Sequence, residues 1–171
     1  RQLDPTAPTS VNALANVLGW EDAIDDWIAR AGPFIDIIGV DHYPATWACC
    51  TAADWGPLDT LLTRINTPTD PWFGKQGALM ETGFSSWVAL VANEEEQKEW
   101  INTSLPALRQ RIQAANAEQE YGVWMGNYYQ LIDVDTGGIG PEAHFGIVHT
   151  DLTAKVGYSA LRKQIGLFTQ P

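Results

Sequence analysis

Residues 34–40, "FIDIIGV", constrain the fold more than any other stretch of the chain. The run is short, β-branched and almost without polar alternation, the pattern of a strand buried on both faces of a parallel sheet. Helical patterns stand on both sides of it. Ahead, Trp20, Ala23, Ile24, Trp27, Ile28 and Ala31 recur at helical spacing, with Glu21, Asp22, Asp25 and Asp26 on the opposite side and Gly32-Pro33 as the stop. Behind, Pro57 in a first-turn position and Leu58, Leu61, Leu62 and Ile65 predict a second helix, ended by the Thr67-Pro68 and Asp70-Pro71 pairs.

The alternation continues. Residues 77–81 read as a second buried strand, and Asn93 with Glu94, Glu95 and Glu96 forms a capping box that opens a long helix to about residue 118. "YGVWMGNYY", residues 121–129, is strand-like, and Tyr158, Leu161, Arg162 and Ile165 mark a last helix. Strands separated by helices imply right-handed crossovers and a parallel sheet, so the fold class is α/β. Each strand ends in polar or aromatic residues, "DHYP", "ETGF" and "GNYY", at the carboxyl ends where βα-barrels and open α/β sheets place their sites.

Composition removes several function classes. A net charge of -11 and a pI near 4.4 argue against a nucleic-acid partner, which needs clustered Lys and Arg. No apolar run approaches the roughly 18 residues of a membrane span, and the amino end lacks the basic flank and apolar segment of a signal peptide. No phosphate-binding glycine loop is present. Cys49 and Cys50 are adjacent, without metal-ligand spacing or a CxxC motif; a bridge between neighbours is strained, so pairing outside the chain is as open as pairing within it. The sequon Asn102-Thr103-Ser104 suits a secreted protein. Eight tryptophans fit either a Trp-rich core or indole faces that pack on sugar rings.

"IDIIGVDHYPATW", "ALMETGFSSW", "GVWMGNYY" and "FGIVHTDLTAKVGYSALRKQI", in this order, resemble the last three strands and final helix of the (β/α)8 TIM barrel of clan A retaining glycoside hydrolases, which include endo-β-galactanases, cellulases and β-1,3-glucanases. The resemblance covers residues 20–166 and implies that residues 1–171 are the carboxyl-terminal part of a single barrel, about three to four of its β/α units. It further implies that Glu81, at the end of barrel strand seven, is the catalytic nucleophile, with Tyr43 as first choice and His42 as second for the donor that keeps it ionised. The alternative for Glu81 is a strand-end glutamate solvated at a rim.

By the same resemblance Trp124 is the aromatic platform under the sugar, and Asn127, Trp47, Trp87 and Asp41 contribute to substrate binding. Each has a plainer reading: core packing for Trp124, a turn former for Asn127, loop anchors for Trp47 and Trp87. If the strand geometry persists, Asp41 and Tyr43 share one face and His42 takes the other. Asp41 and His42 lack further ligands at metal spacing, since His144 and His149 lie in or after the "DTGGIGPEAHFG" loop; no metal or cofactor is expected.

A complete barrel needs eight strands in about 250 residues, whereas three are visible in this sequence, or four if one lies ahead of Arg1. The clan's acid/base glutamate, in an Asn-Glu pair, has no counterpart. The abrupt start at Arg1 and the missing acid favour a carboxyl-terminal piece whose amino-terminal half lies elsewhere over a half-barrel that closes by association. The expected function is hydrolysis of a β-glycosidic carbohydrate with retention. The competing class is a carbohydrate-binding or scaffold relic of the same barrel; an α/β enzyme with an unrelated reaction would need another catalytic set in the strand-end loops, and no Ser-His or Cys-His arrangement with a recognisable elbow is present.

Overall fold

The computed structural model describes residues 6–46, 50–135 and 137–168, except 89–90. The elements run β1 (Ser10–Leu14), α1 (Trp20–Ala31), β2 (Ile37–Asp41), α2 (Gly56–Ile65), β3 (Gln76–Thr82), β4 (Trp87–Val88), β5 (Val91–Ala92), α3 (Glu94–Glu118), β6 (Val123–Tyr128) and α4 (Tyr158–Phe168). Among the described residues β1, β2, β3 and β6 form one sheet in that order. It is parallel, in register from Ser10↔Ile37 to Leu14↔Asp41 and from Ile37↔Gln76 to Val40↔Leu79.

The fourth strand is a correction. It lies inside the chain, at "SVNAL", where the sequence showed three strands. Its side chains alternate between exposed and half-covered, so it carries none of the continuous apolar signal of β2. Tertiary pairing selects it: Asp36 Oδ2 accepts the Thr9 N–H at 2.8 Å, and the Ala15 N–H donates to the Asp41 carbonyl at 2.8 Å.

Contacts group the chain into two compact units. The first holds residues 1–42, 55–81 and 112–127, and the second residues 43–54, 82–111 and 128–171. In the first, α1 packs on β1 and α2 on β2. Ile24, Ile38, Val40, Leu58, Leu61, Ile65 and Leu79 are fully buried, each worth about 1.5–3 kcal/mol of transfer free energy. A Cβ on Gly77 would meet Ile65 Cδ1 at 3.4 Å and Leu61 Cδ2 at 3.5 Å, so α2 seals that face. A Cβ on Gly39 would instead collide with the Met80 side chain and stand 3.1 Å from Asn12 Cβ, which puts Asn12 and Met80 together on the other face. Trp55 and Trp72 belong to this core.

In the second unit Asn93 caps α3 as the sequence predicts: its Oδ1 accepts the N–H groups of Glu95 at 3.1 Å and Glu96 at 3.3 Å. Trp100, Ile101, Leu105, Leu108, Phe145, Ile147 and Leu161 are buried. The Trp100 indole N–H donates to the Pro44 carbonyl at 2.7 Å. Pro106 sits within α3, which continues through it. Among the described residues no helix is long and apolar enough to cross a membrane.

Candidate active site

Two carboxylates end two neighbouring strands of the first unit. Asp41 closes β2, and Glu81 is the last residue but one of β3. A register shift between Val40 and Asp41 skips Met80 and makes Asp41 and Glu81 direct cross-strand partners. Such a bulge re-aims a side chain at the rim of a sheet. The His42 N–H then donates to the Glu81 carbonyl at 2.9 Å, which fixes the backbone on both sides of the pair.

The surroundings of Asp41 disfavour its charge. Partial burial, chiefly, and the neighbouring Glu81 raise its pKa from 3.8 to about 6 against a bond from Asn12 that lowers it. That bond runs from Asn12 Nδ2 to Asp41 Oδ2 at 2.6 Å. The other oxygen, Oδ1, is buried without a hydrogen-bond partner, and an unpaired buried oxygen is costly as an anion.

His42 turns the other way. Its Nδ1 is 3.2 Å from Asn16 Oδ1, which can act as the acceptor, and its ring meets Trp55 edge-on at 5.6 Å. The alternation expected along "DHY" explains this, since Asp41 and His42 leave the strand on opposite sides. Tyr43 belongs to the second unit, where it is buried and meets the rings of Tyr129 at 6.4 Å and Phe145 at 5.4 Å.

Trp124 and Asn127 lie on β6, and Trp87 on β4. Trp124 is the second residue of β6 and 60% exposed, set back from the carboxyl end of its strand by four residues, roughly 13 Å of extended chain. Asn116 brackets that strand start, accepting the Val123 N–H at 2.9 Å. Asn127 is exposed near the end of β6. Trp87 opens the short β4–β5 hairpin, and its N–H donates to Ser85 Oγ at 3.1 Å. Trp47 lies outside the described residues. Cys50 is disulfide-bonded, and Cys49 also lies outside the described residues.

Sequence reasoning missed Asn12, which lies in a strand too polar to be recognised, and Asn16, in the turn after it. The turn itself is marked by Gly19 at φ 82°. It helps form a cavity of about 630 Å³ lined by Asn16, Trp20, Asp22, Asp25 and Arg64, among others, but not by Asp41 or Glu81. The cavity and the carboxylate pair are therefore distinct features.

No family model matches the sequence, and no curated protein matches it. Solved structures do. A β-galacturonidase from Eisenbergiella tayi, bound to galacturonate, superposes with a TM-score of 0.66 at 19% identity, over 95% of this chain and 28% of that one. A family 39 glycoside hydrolase from Bacteroides cellulosilyticus gives 0.57 at 16%, over 85% and 30%. A β-D-glucuronidase from Dictyoglomus thermophilum gives 0.55 at 17%, over 100% and 27%. The chain thus shares the fold of one part of these glycoside hydrolases and spans less than a third of their length.

Proposed function

We propose that the chain forms the carboxyl-terminal part of a (β/α)8 barrel that hydrolyses a β-glycoside with retention, with Glu81 as the nucleophile. The observation that carries this reading is the position of Glu81: a carboxylate at the carboxyl end of a central parallel strand, re-aimed by a bulge into register with Asp41. The likeness of the fold to part of several glycosidases supports it.

The chemistry requires two carboxyl groups on opposite sides of the scissile bond. Asp41 does not fill the second role. In-register neighbours on adjacent strands lie about 4.8 Å apart and face the sugar from one side. The proton donor is therefore assigned to the part of the barrel that this chain does not contain. Glu81 attacks the anomeric carbon, the leaving oxygen takes its proton from that second group, and water later releases the sugar from Glu81. His42 is proposed as a support of the strand end, through the bond its N–H makes to the Glu81 carbonyl.

The test uses the full-length polypeptide and a panel of aryl β-glycosides and β-uronides. Glu81→Gln keeps size and removes the charge, so turnover falls by orders of magnitude while sugar binding persists. An unchanged rate in this variant refutes the mechanism and favours a binding relic that does no chemistry at Glu81.

A further inference from the structure

The carboxylate pair raises a question that a lone nucleophile does not. Two acids in direct register, one with a buried oxygen that has no partner, are poorly placed to be ionised together. Asn12 settles which oxygen of Asp41 is occupied, because its amide donates to Oδ2 and leaves Oδ1 as the oxygen that can carry hydrogen. We propose that Asp41 works in its protonated form as a positioning residue for Glu81, donating from Oδ1 to the Glu81 carboxylate, with Asn12 holding the donor in place. This inference rests on the reading of Glu81 as nucleophile.

The arrangement divides one proton unequally. Asp41 keeps a proton and presents it to its cross-strand neighbour. The elevated pKa of Asp41, about 6 with burial as its first cause, agrees with this division. Along the sheet, β1, "SVNAL", has no ionisable side chain, Glu81 is the sole one on β3, and Tyr128 is the sole one on β6. His42, next in sequence, is directed to Asn16.

A substrate that needs no proton donor isolates the pair from the missing acid. A dinitrophenyl 2-fluoro-β-glycoside of a sugar that the full-length protein turns over meets this condition, since its leaving group departs without protonation. The rate of covalent labelling then falls on the alkaline side as Asp41 loses its proton. Asp41→Asn replaces the O–H donor with an N–H donor. It should remove the alkaline fall and label far faster than Asp41→Ala, which should be slower than wild type on the order of 10- to 100-fold, the scale of one hydrogen bond to a charged group. Asn12→Ala, by removing the bond that favours ionised Asp41, should move the alkaline fall to higher pH. Thermal melting of Asp41→Asn and Asp41→Ala shows that both remain folded at the assay temperature.

Equal loss in the Asn and Ala variants overturns the proposal, because it would make the charge of Asp41 the active feature. An alkaline limb that persists in Asp41→Asn overturns it as well. Either result with the label still on the peptide containing Glu81 leaves the nucleophile reading intact. Label on another carboxylate overturns that reading itself, and the role of Asp41 with it.

Discussion

Each unit covers an aspartate, one wholly and one by half, and they treat it in opposite ways. In the second unit Asp133 is fully enclosed, and its Oδ1 accepts a 2.7 Å bond from Lys155, whose side chain is 1% exposed. The ammonium also reaches Ser86 Oγ at 2.9 Å and the His144 carbonyl at 3.3 Å. His149 joins the same network, 3.1 Å from Glu94 and 3.6 Å from Asp133. In the first unit Asp41 is half covered, faces a like charge and keeps one oxygen without a partner. A buried charge with every bond made has a structural task. A carboxyl held at an energetic disadvantage beside another carboxyl is what the proposed role of Asp41 requires.

The largest effect that can break this comparison is the loss of turnover in Glu81→Gln, on the order of a thousandfold or more in the full-length protein, read as kcat/KM on a susceptible glycoside. Its thermal stability should change little. Lys155→Ala should do the reverse for stability. It leaves Asp133 buried without its counter-ion and should cost about 3–5 kcal/mol in chemical denaturation. A smaller loss after Asp133→Leu is combined with Lys155→Met would confirm that the penalty comes from the stranded charge and not from lost volume. If Lys155→Ala melts like the parent, the network is not structural and the contrast between the units fails.

Asp41→Asn gives a smaller effect of opposite sign. Asp41 binds its proton more tightly in the folded chain, with a pKa of about 6 against 3.8. It therefore costs stability as pH rises from about 4 to about 6, and the cost persists above that window. The Asn variant should be more stable than the parent at pH 7 by about 1 kcal/mol, allowing for solvent screening of a half-exposed group. Below pH 4 the two should converge. Parallel stability curves from pH 4 to 7 would show that Asp41 is not shifted. The smallest prediction sharpens the structural side: Asn93→Ala removes the α3 cap and should cost about 1 kcal/mol at any pH in that range.

The sequence by itself determined the elements whose local pattern is strong. The apolar run before Asp41, the helical spacing through Trp20 to Ala31, and the Asn93 cap each specify structure within a few residues, so the helices and three of the parallel strands were legible. The place of Glu81 at a strand end was legible too, because a glutamate that ends an apolar strand and precedes Thr82-Gly83 is conspicuous; its role as nucleophile is a proposal. Gly83 is required there: a Cβ would collide with the Tyr129 carbonyl oxygen. Tertiary structure alone decided the rest. β1 is a strand because β2 offers it a partner, and no residue of "SVNAL" announces that. The bulge that aligns Asp41 with Glu81 depends on how β2 and β3 pair across 40 residues of sequence, and the Asn12 bond to Asp41 spans 29. Periodicity reports which face of an element is buried. It carries no information about register between elements, and register is what brings Asp41 and Glu81 side by side.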